Sequence, residues 1–140
     1  MPHVSRNKLS KEMEEELVKN LTLVLAKIDQ DEGMVLFLEA LLSDTERLML
    51  AKRLAIIILI EEDMPDLQIA NMLHVTRITV SKMRYFYEAR GKGFAIGLKK
   101  LDEQQKLKNF KKVLLALARY SARAAGGYVK PTILDPKDLK

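Results

Sequence analysis

With 140 residues, 48% of them hydrophobic and none of them Cys or Trp, the chain has material for one domain with a real core and excludes disulfides and thiolate metal sites. Its formal net charge of +5 conceals a polarity: residues 1–75 hold 8 Lys/Arg against 14 Asp/Glu, residues 76–100 hold 7 bases against Glu88 alone, and residues 101–140 add 9 bases against 4 acids. His3 and His74 stand too far apart to found a zinc site, the longest apolar run (Leu54 to Ile60) is too short to cross a bilayer, and MPHVSRNKLSKEM is no signal segment, so a cytoplasmic protein without metal or cofactor is expected.

Residues 1–9 read as a flexible arm, with His3, Arg6 and Lys8 as its polar content. A single all-helical domain then spans residues 10–125. Ser10 caps a first helix running to about Gln30, with Met13, Leu17, Leu21, Leu25 and Ile28 as its apolar stripe and Glu12, Glu14, Glu15 and Glu16 near the positive end of its dipole. The polar run Asp29 to Gly33 predicts a break, followed by a second helix over Met34 to Leu42 whose only charge is Glu39. Ser43-Asp44-Thr45-Glu46 matches the capping box and opens a third helix, through Leu48, Ala51, Ala55 and Ile58 to about Glu62.

Residues 65–87 carry two short helical patterns meeting across a tight break, the layout of a helix-turn-helix. Leu67, Ile69, Ala70 and Leu73 give the first an apolar spacing, and the small Ala70 admits a close crossing. Thr76 is placed to cap the second helix, residues 76–87, and Val75 to plug the crossing. His74 stands where such turns usually carry glycine, at a backbone position expected to be left-handed, which histidine tolerates better than most residues. Val80, Met83 and Tyr87 form the buried side of the second helix, while Arg77, Ile78, Thr79, Ser81, Lys82 and Arg84 form its other face. Donors, a methyl-bearing side chain and cations on a braced helix suit the major groove of DNA.

The exit Ala89-Arg90-Gly91-Lys92-Gly93 predicts a break, then one long helix from about Phe94 to Ala125 with Leu98, Leu101, Leu107, Phe110, Leu114 and Leu117 on its apolar side. Gly126-Gly127 stops it, and residues 126–140 read as a loose tail. The total is six helices and no sheet. The change of charge sign falls at the start of the second motif helix, which is the electrostatic footprint of a nucleic-acid binder and adds Arg90 and Lys92 to the expected DNA-binding residues Thr76, Arg77, Ile78, Thr79, Ser81, Lys82 and Arg84. Two apolar segments, residues 34–42 and 54–60, exceed what one copy covers while leaving the motif at the surface. An intertwined homodimer, which also pairs two reading helices about a two-fold axis for a palindrome, is expected.

Six helices in this order, an acidic and apolar first half, the segment LLSDTERLMLAKRLAIIILIEEDM leading into DLQIANMLHVTRITVSKM, and the exit ARGKGF together resemble the Trp repressor family. The resemblance is best over residues 36–94; the long last helix and tail match loosely or lie outside it. It implies an all-α intertwined homodimer that regulates transcription as a repressor, with residues 66–73 bracing and residues 76–87 reading duplex DNA through positions matching Arg77, Ile78 and Thr79. In that family the amino-acid ligand lies between an arginine on the third helix and an arginine–glycine pair on the reading helix. The matching positions are Lys52 or Arg53, then Lys82 and Met83. A methionine fills the volume an indole needs, so tryptophan is not expected as corepressor, and whether another small effector exists stays open.

The alternative is a helical protein–protein adaptor in which the helix-turn-helix is only architecture; it predicts binding indifferent to the basic 76–100 segment. An enzyme is not expected, because no carboxylate pair or base–nucleophile pair is placed on an apolar helix.

Overall fold

Six helices and no strand make up the described residues, 7–103 and 106–125, of the computed structural model. Most of the N-terminal arm and the whole 126–140 tail lie outside them. The chain divides into two compact units, residues 1–47 and 48–140.

In the first unit, α1 (Lys11–Lys27) begins where the Ser10 hydroxyl accepts the Met13 N–H at 3.3 Å, with Glu12 and Glu14 in its first turn. The next helix, α2 (Asp31–Leu41), starts three residues earlier than the sequence pattern suggests. Asp31 and Glu32 favour a helix N-terminus electrostatically, and Gly33 is carried inside the helix, where its modest propensity cost is tolerated. The capping box forms as expected: Ser43 N–H donates to Glu46 Oε2 at 2.8 Å, and Glu46 N–H donates back to Ser43 Oγ at 3.3 Å. The Ser43 N–H, joined by the Ser43 hydroxyl donating to the same oxygen at 2.9 Å, holds the Glu46 carboxyl below its ordinary value. Arg47 joins the end of α2 to the new helix by pairing with Glu39 at 3.0 Å and with Asp44.

Helix α3 (Asp44–Glu61) runs on into the second unit, where Ala55 to Ile60 are buried on every side. The apolar segment 54–60 therefore finds nearly all its cover within one chain. No residue of α1 or α2 is buried, so the segment 34–42 does not. Asp63, at φ 57°, turns the chain, and Met64 N–H returns to Leu59 O at 3.0 Å. Pro65 stands just before α4 (Asp66–Leu73) as its N-cap. Ile69, Ala70, Met72 and Leu73 bury the inner side of α4, whereas Leu67, read as apolar-face, is 53% exposed.

The expected break after Tyr87 falls at Arg90, whose dihedrals (φ −125°, ψ 25°) are not helical. Helix α5 (Arg77–Glu103) thus comprises two helical segments that meet at this kink, and α6 (Lys106–Ala125) follows. The expected long helix over 94–125 corresponds to residues 94–103 of α5 together with α6. Tyr87 and Phe94 stack across the kink at 6.3 Å, and both rest on the core, as does Leu98. Helix α6 packs on α4 and α5 through Leu114 and Ala118, and its Lys111 pairs with Glu62 after the end of α3.

Candidate nucleic-acid interface

The turn between α4 and α5 is built from local chemistry. His74 takes the left-handed conformation (φ 50°, ψ 53°) that stops α4, its N–H reaching Ala70 O. Val75 N–H also returns to Ala70 O at 3.1 Å, and its side chain packs against the core. Thr76 Oγ1 then accepts the Thr79 N–H at 3.2 Å, capping α5. From the other side, Lys52 of α3 donates to the carbonyl of His74 at 3.5 Å.

A charged clamp locks the two motif helices in their crossing. Arg84 donates through Nε and Nη2 to Asp66 Oδ1 at 2.9 and 2.6 Å, and through Nη2 to the Met64 carbonyl at 3.1 Å. Ser81 Oγ donates to Asp66 Oδ2 at 3.1 Å. The bonds from Arg84, with a smaller contribution from Ser81, hold the Asp66 carboxyl below the usual aspartate value against the desolvation that would raise it. Beneath the clamp, Val80 and Met83 are sealed in the core, Met83 at 6% exposure.

The expected DNA-binding residues therefore fall into three groups. Arg77, Ile78 and Lys82 stand on the open face of α5, with Ile78 69% exposed. Thr76 and Thr79 face the same end, but their hydroxyls bond each other at 2.9 Å, which ties them to the turn. Ser81 and Arg84 are engaged by Asp66 and act inside the motif. Arg90 and Lys92 are exposed two turns further on, at the kink, where the Arg90 guanidinium lies 4.6 Å over the Phe86 ring.

Two features escaped the sequence reading. Asp66 lies 18 positions from Arg84, with no local spacing to pair them. Tyr85 belongs to the exposed face of α5 at 67% exposure, although it sits between buried Met83 and half-buried Phe86 and Tyr87; counting helical positions from Ile78 and Lys82 would have placed it there.

Elsewhere in the second unit, an apolar cleft of about 380 Å³ opens between α3, the end of α4 and α6, with Leu48, Ala55, Leu73, Phe110, Val113 and Leu117 among its lining. No group of three His, Cys, Asp or Glu that could hold a metal occurs among the described residues, and none of their helices is long and apolar enough to cross a membrane. No protein-family model, curated protein or solved structure matches the chain.

Proposed function

We propose that this chain is a sequence-specific, double-stranded DNA-binding transcriptional regulator of the Trp repressor type, a repressor that reads a palindromic operator as a cytoplasmic homodimer. The observation that carries the proposal is the face formed by Arg77, Ile78 and Lys82. It is open to solvent on a helix clamped at both its turn and its flank, and it lies in a stretch whose only acid is Glu88. A rigid helix with cations and one exposed branched side chain matches a groove that offers acceptors, thymine methyl groups and flanking phosphates. Base contact is assigned to Arg77 and Ile78, phosphate contact to Lys82, Arg90 and Lys92, and positioning to Thr76, Thr79, Ser81 and Arg84.

The dimer rests on the first unit. Leu17, Val18, Leu21, Val35, Leu36 and Leu41 are each more than 40% exposed in a single chain, apolar side chains that a partner surface would cover. A second copy provides the cover.

Tryptophan is not the effector in this proposal, because Met83 is sealed in the core at the position where a ring would need space. Adding the amino acid is expected to leave DNA affinity unchanged; a tightening on its addition would overturn this point.

Selection of bound sequences from a random duplex library tests the whole. Enrichment of a two-fold symmetric motif is expected. Recovery of no motif, together with no salt-dependent retention of duplex, would reject the proposal in favour of a protein–protein adaptor.

A further inference from the structure

Tyr85 is 67% exposed, yet it is not a loosely placed side chain. Its ring meets Phe86 at 6.1 Å with an interplanar angle of 55°. Phe86 in turn packs against the core and carries the Arg90 guanidinium 4.6 Å above its face. A tyrosine that left most of its area in water only to fill space would contribute little to folding. A phenol buttressed by a neighbouring ring and open to solvent instead has one O–H to donate to a partner.

Its position on the helix gives the partner. Ile78, Lys82 and Tyr85 are spaced by four and then three residues, so they form one stripe along α5. Glu88, the sole acid of residues 76–100, belongs to the adjacent stripe with Arg77, Ser81 and Arg84. Tyr85 lies two turns beyond Ile78, about 10 Å along the axis. The major groove is about 12 Å wide, so with Ile78 against base edges Tyr85 stands at the groove wall, where the duplex presents phosphate oxygens.

Resting on the DNA-binding proposal above, we infer that Tyr85 is a further contact residue of the interface, donating its phenolic hydrogen to a backbone phosphate and so fixing how far the reading helix enters the groove. It is a neutral donor among charged ones, and that gives it a distinct signature. Loss of a lysine contact releases fewer counterions on binding and flattens the salt dependence; loss of a neutral hydrogen bond weakens binding without doing so.

The test uses the full chain, a duplex recovered by selection and a scrambled duplex of equal length. Tyr85→Phe is expected to weaken binding to both by about tenfold, the loss typical of a hydrogen bond to a charged group, with the slope of log affinity against log salt unchanged. Lys82→Ala, in parallel, is expected to reduce that slope by about one. Tyr85→Phe binding as tightly as the unsubstituted chain, or losing affinity for the selected duplex alone, would overturn the phosphate contact while leaving the DNA-binding proposal intact. Failure of the unsubstituted chain to bind any duplex would overturn both. A second readout comes from Tyr85→Trp, since the chain has no tryptophan of its own. Its emission is expected to respond to duplex at low salt and to revert at high salt, and unresponsive emission on a duplex that still binds would overturn the assignment.

Discussion

The carboxylate of Asp66, the first residue of α4, is held by Arg84, from the third turn of α5, through two donors at 2.9 and 2.6 Å. Because the pair spans the helix crossing, and Arg84 also reaches the Met64 carbonyl, it fixes the angle at which α5 projects from its support. Half-buried bonds of this kind are worth more than surface pairs, since water screens them less. Asp66→Ala and Arg84→Ala are each expected to lower stability by about 1–3 kcal/mol in urea unfolding. The double variant is expected to cost less than the sum of the two, with a coupling of about 1 kcal/mol. Strict additivity would show that the pair does not bind the helices together.

The same carboxylate makes stability depend on acid. Its folded-state pKa lies below the ordinary 3.8, so the stabilisation is complete above that value and is lost as pH falls through the lower folded value. Unfolding free energy measured between about pH 5 and pH 2 is expected to decline more steeply for the native chain than for Asp66→Asn. Equal slopes would remove Asp66 from the acid response.

At His74 the backbone is left-handed, a conformation that costs a residue bearing Cβ about 1 kcal/mol and glycine nothing. Against that gain, glycine loses more backbone entropy on folding. His74→Gly is expected to raise stability by about 0.5 kcal/mol in thermal or urea unfolding. A clear loss would mean that the imidazole makes a contact the turn depends on.

Assembly is testable without DNA. With no buried residue on α1 or α2, the folded chain is expected to be an obligate dimer, and its unfolding midpoint to rise with protein concentration. Light scattering after gel filtration is expected to give twice the 16.0 kDa chain mass. A folded monomer with a concentration-independent midpoint would defeat this expectation.

Readout and positioning are separable by substitution. Arg77→Ala is expected to relax base preference at one position of each half-site, at about 1–3 kcal/mol for the lost contact. Arg90→Ala and Lys92→Ala are expected to weaken all duplexes alike and to lower the salt slope by about one each. Uniform loss from all three variants, measured by competition with mismatched duplexes, would show that α5 does not read bases.

The features legible in the sequence are those whose partners sit within four residues of each other. The Ser43 and Glu46 capping box, the Thr76 cap on Thr79, the Ser10 cap and the left-handed His74 all follow from short-range hydrogen bonding and steric preference. What was not legible depends on the tertiary arrangement. The break over residues 89–93 was legible and appears as the kink at Arg90, but the stacking of Tyr87 on Phe94 across it was not. Arg84 read as one more cation on the outer face, because nothing local reveals a carboxylate 18 residues away. Likewise, two apolar segments looked alike in composition, yet residues 55–60 are enclosed by their own chain while α2 is not.

The kink at Arg90 has a consequence for shape. A straight helix of 27 residues is a rod of about 40 Å, and a rod laid on a cylinder touches it only near one tangent point. Because the helical dihedrals lapse at Arg90, α5 is two shorter rods with separate headings. Arg77 and Lys82 ride on the first, and Lys92, Lys99 and Lys100 on the second. The positive charge of this one helix is therefore shared between two segments that meet at Arg90, so that the headings of Arg77 and Lys82 on one side and of Lys92, Lys99 and Lys100 on the other are set by that one residue's dihedrals.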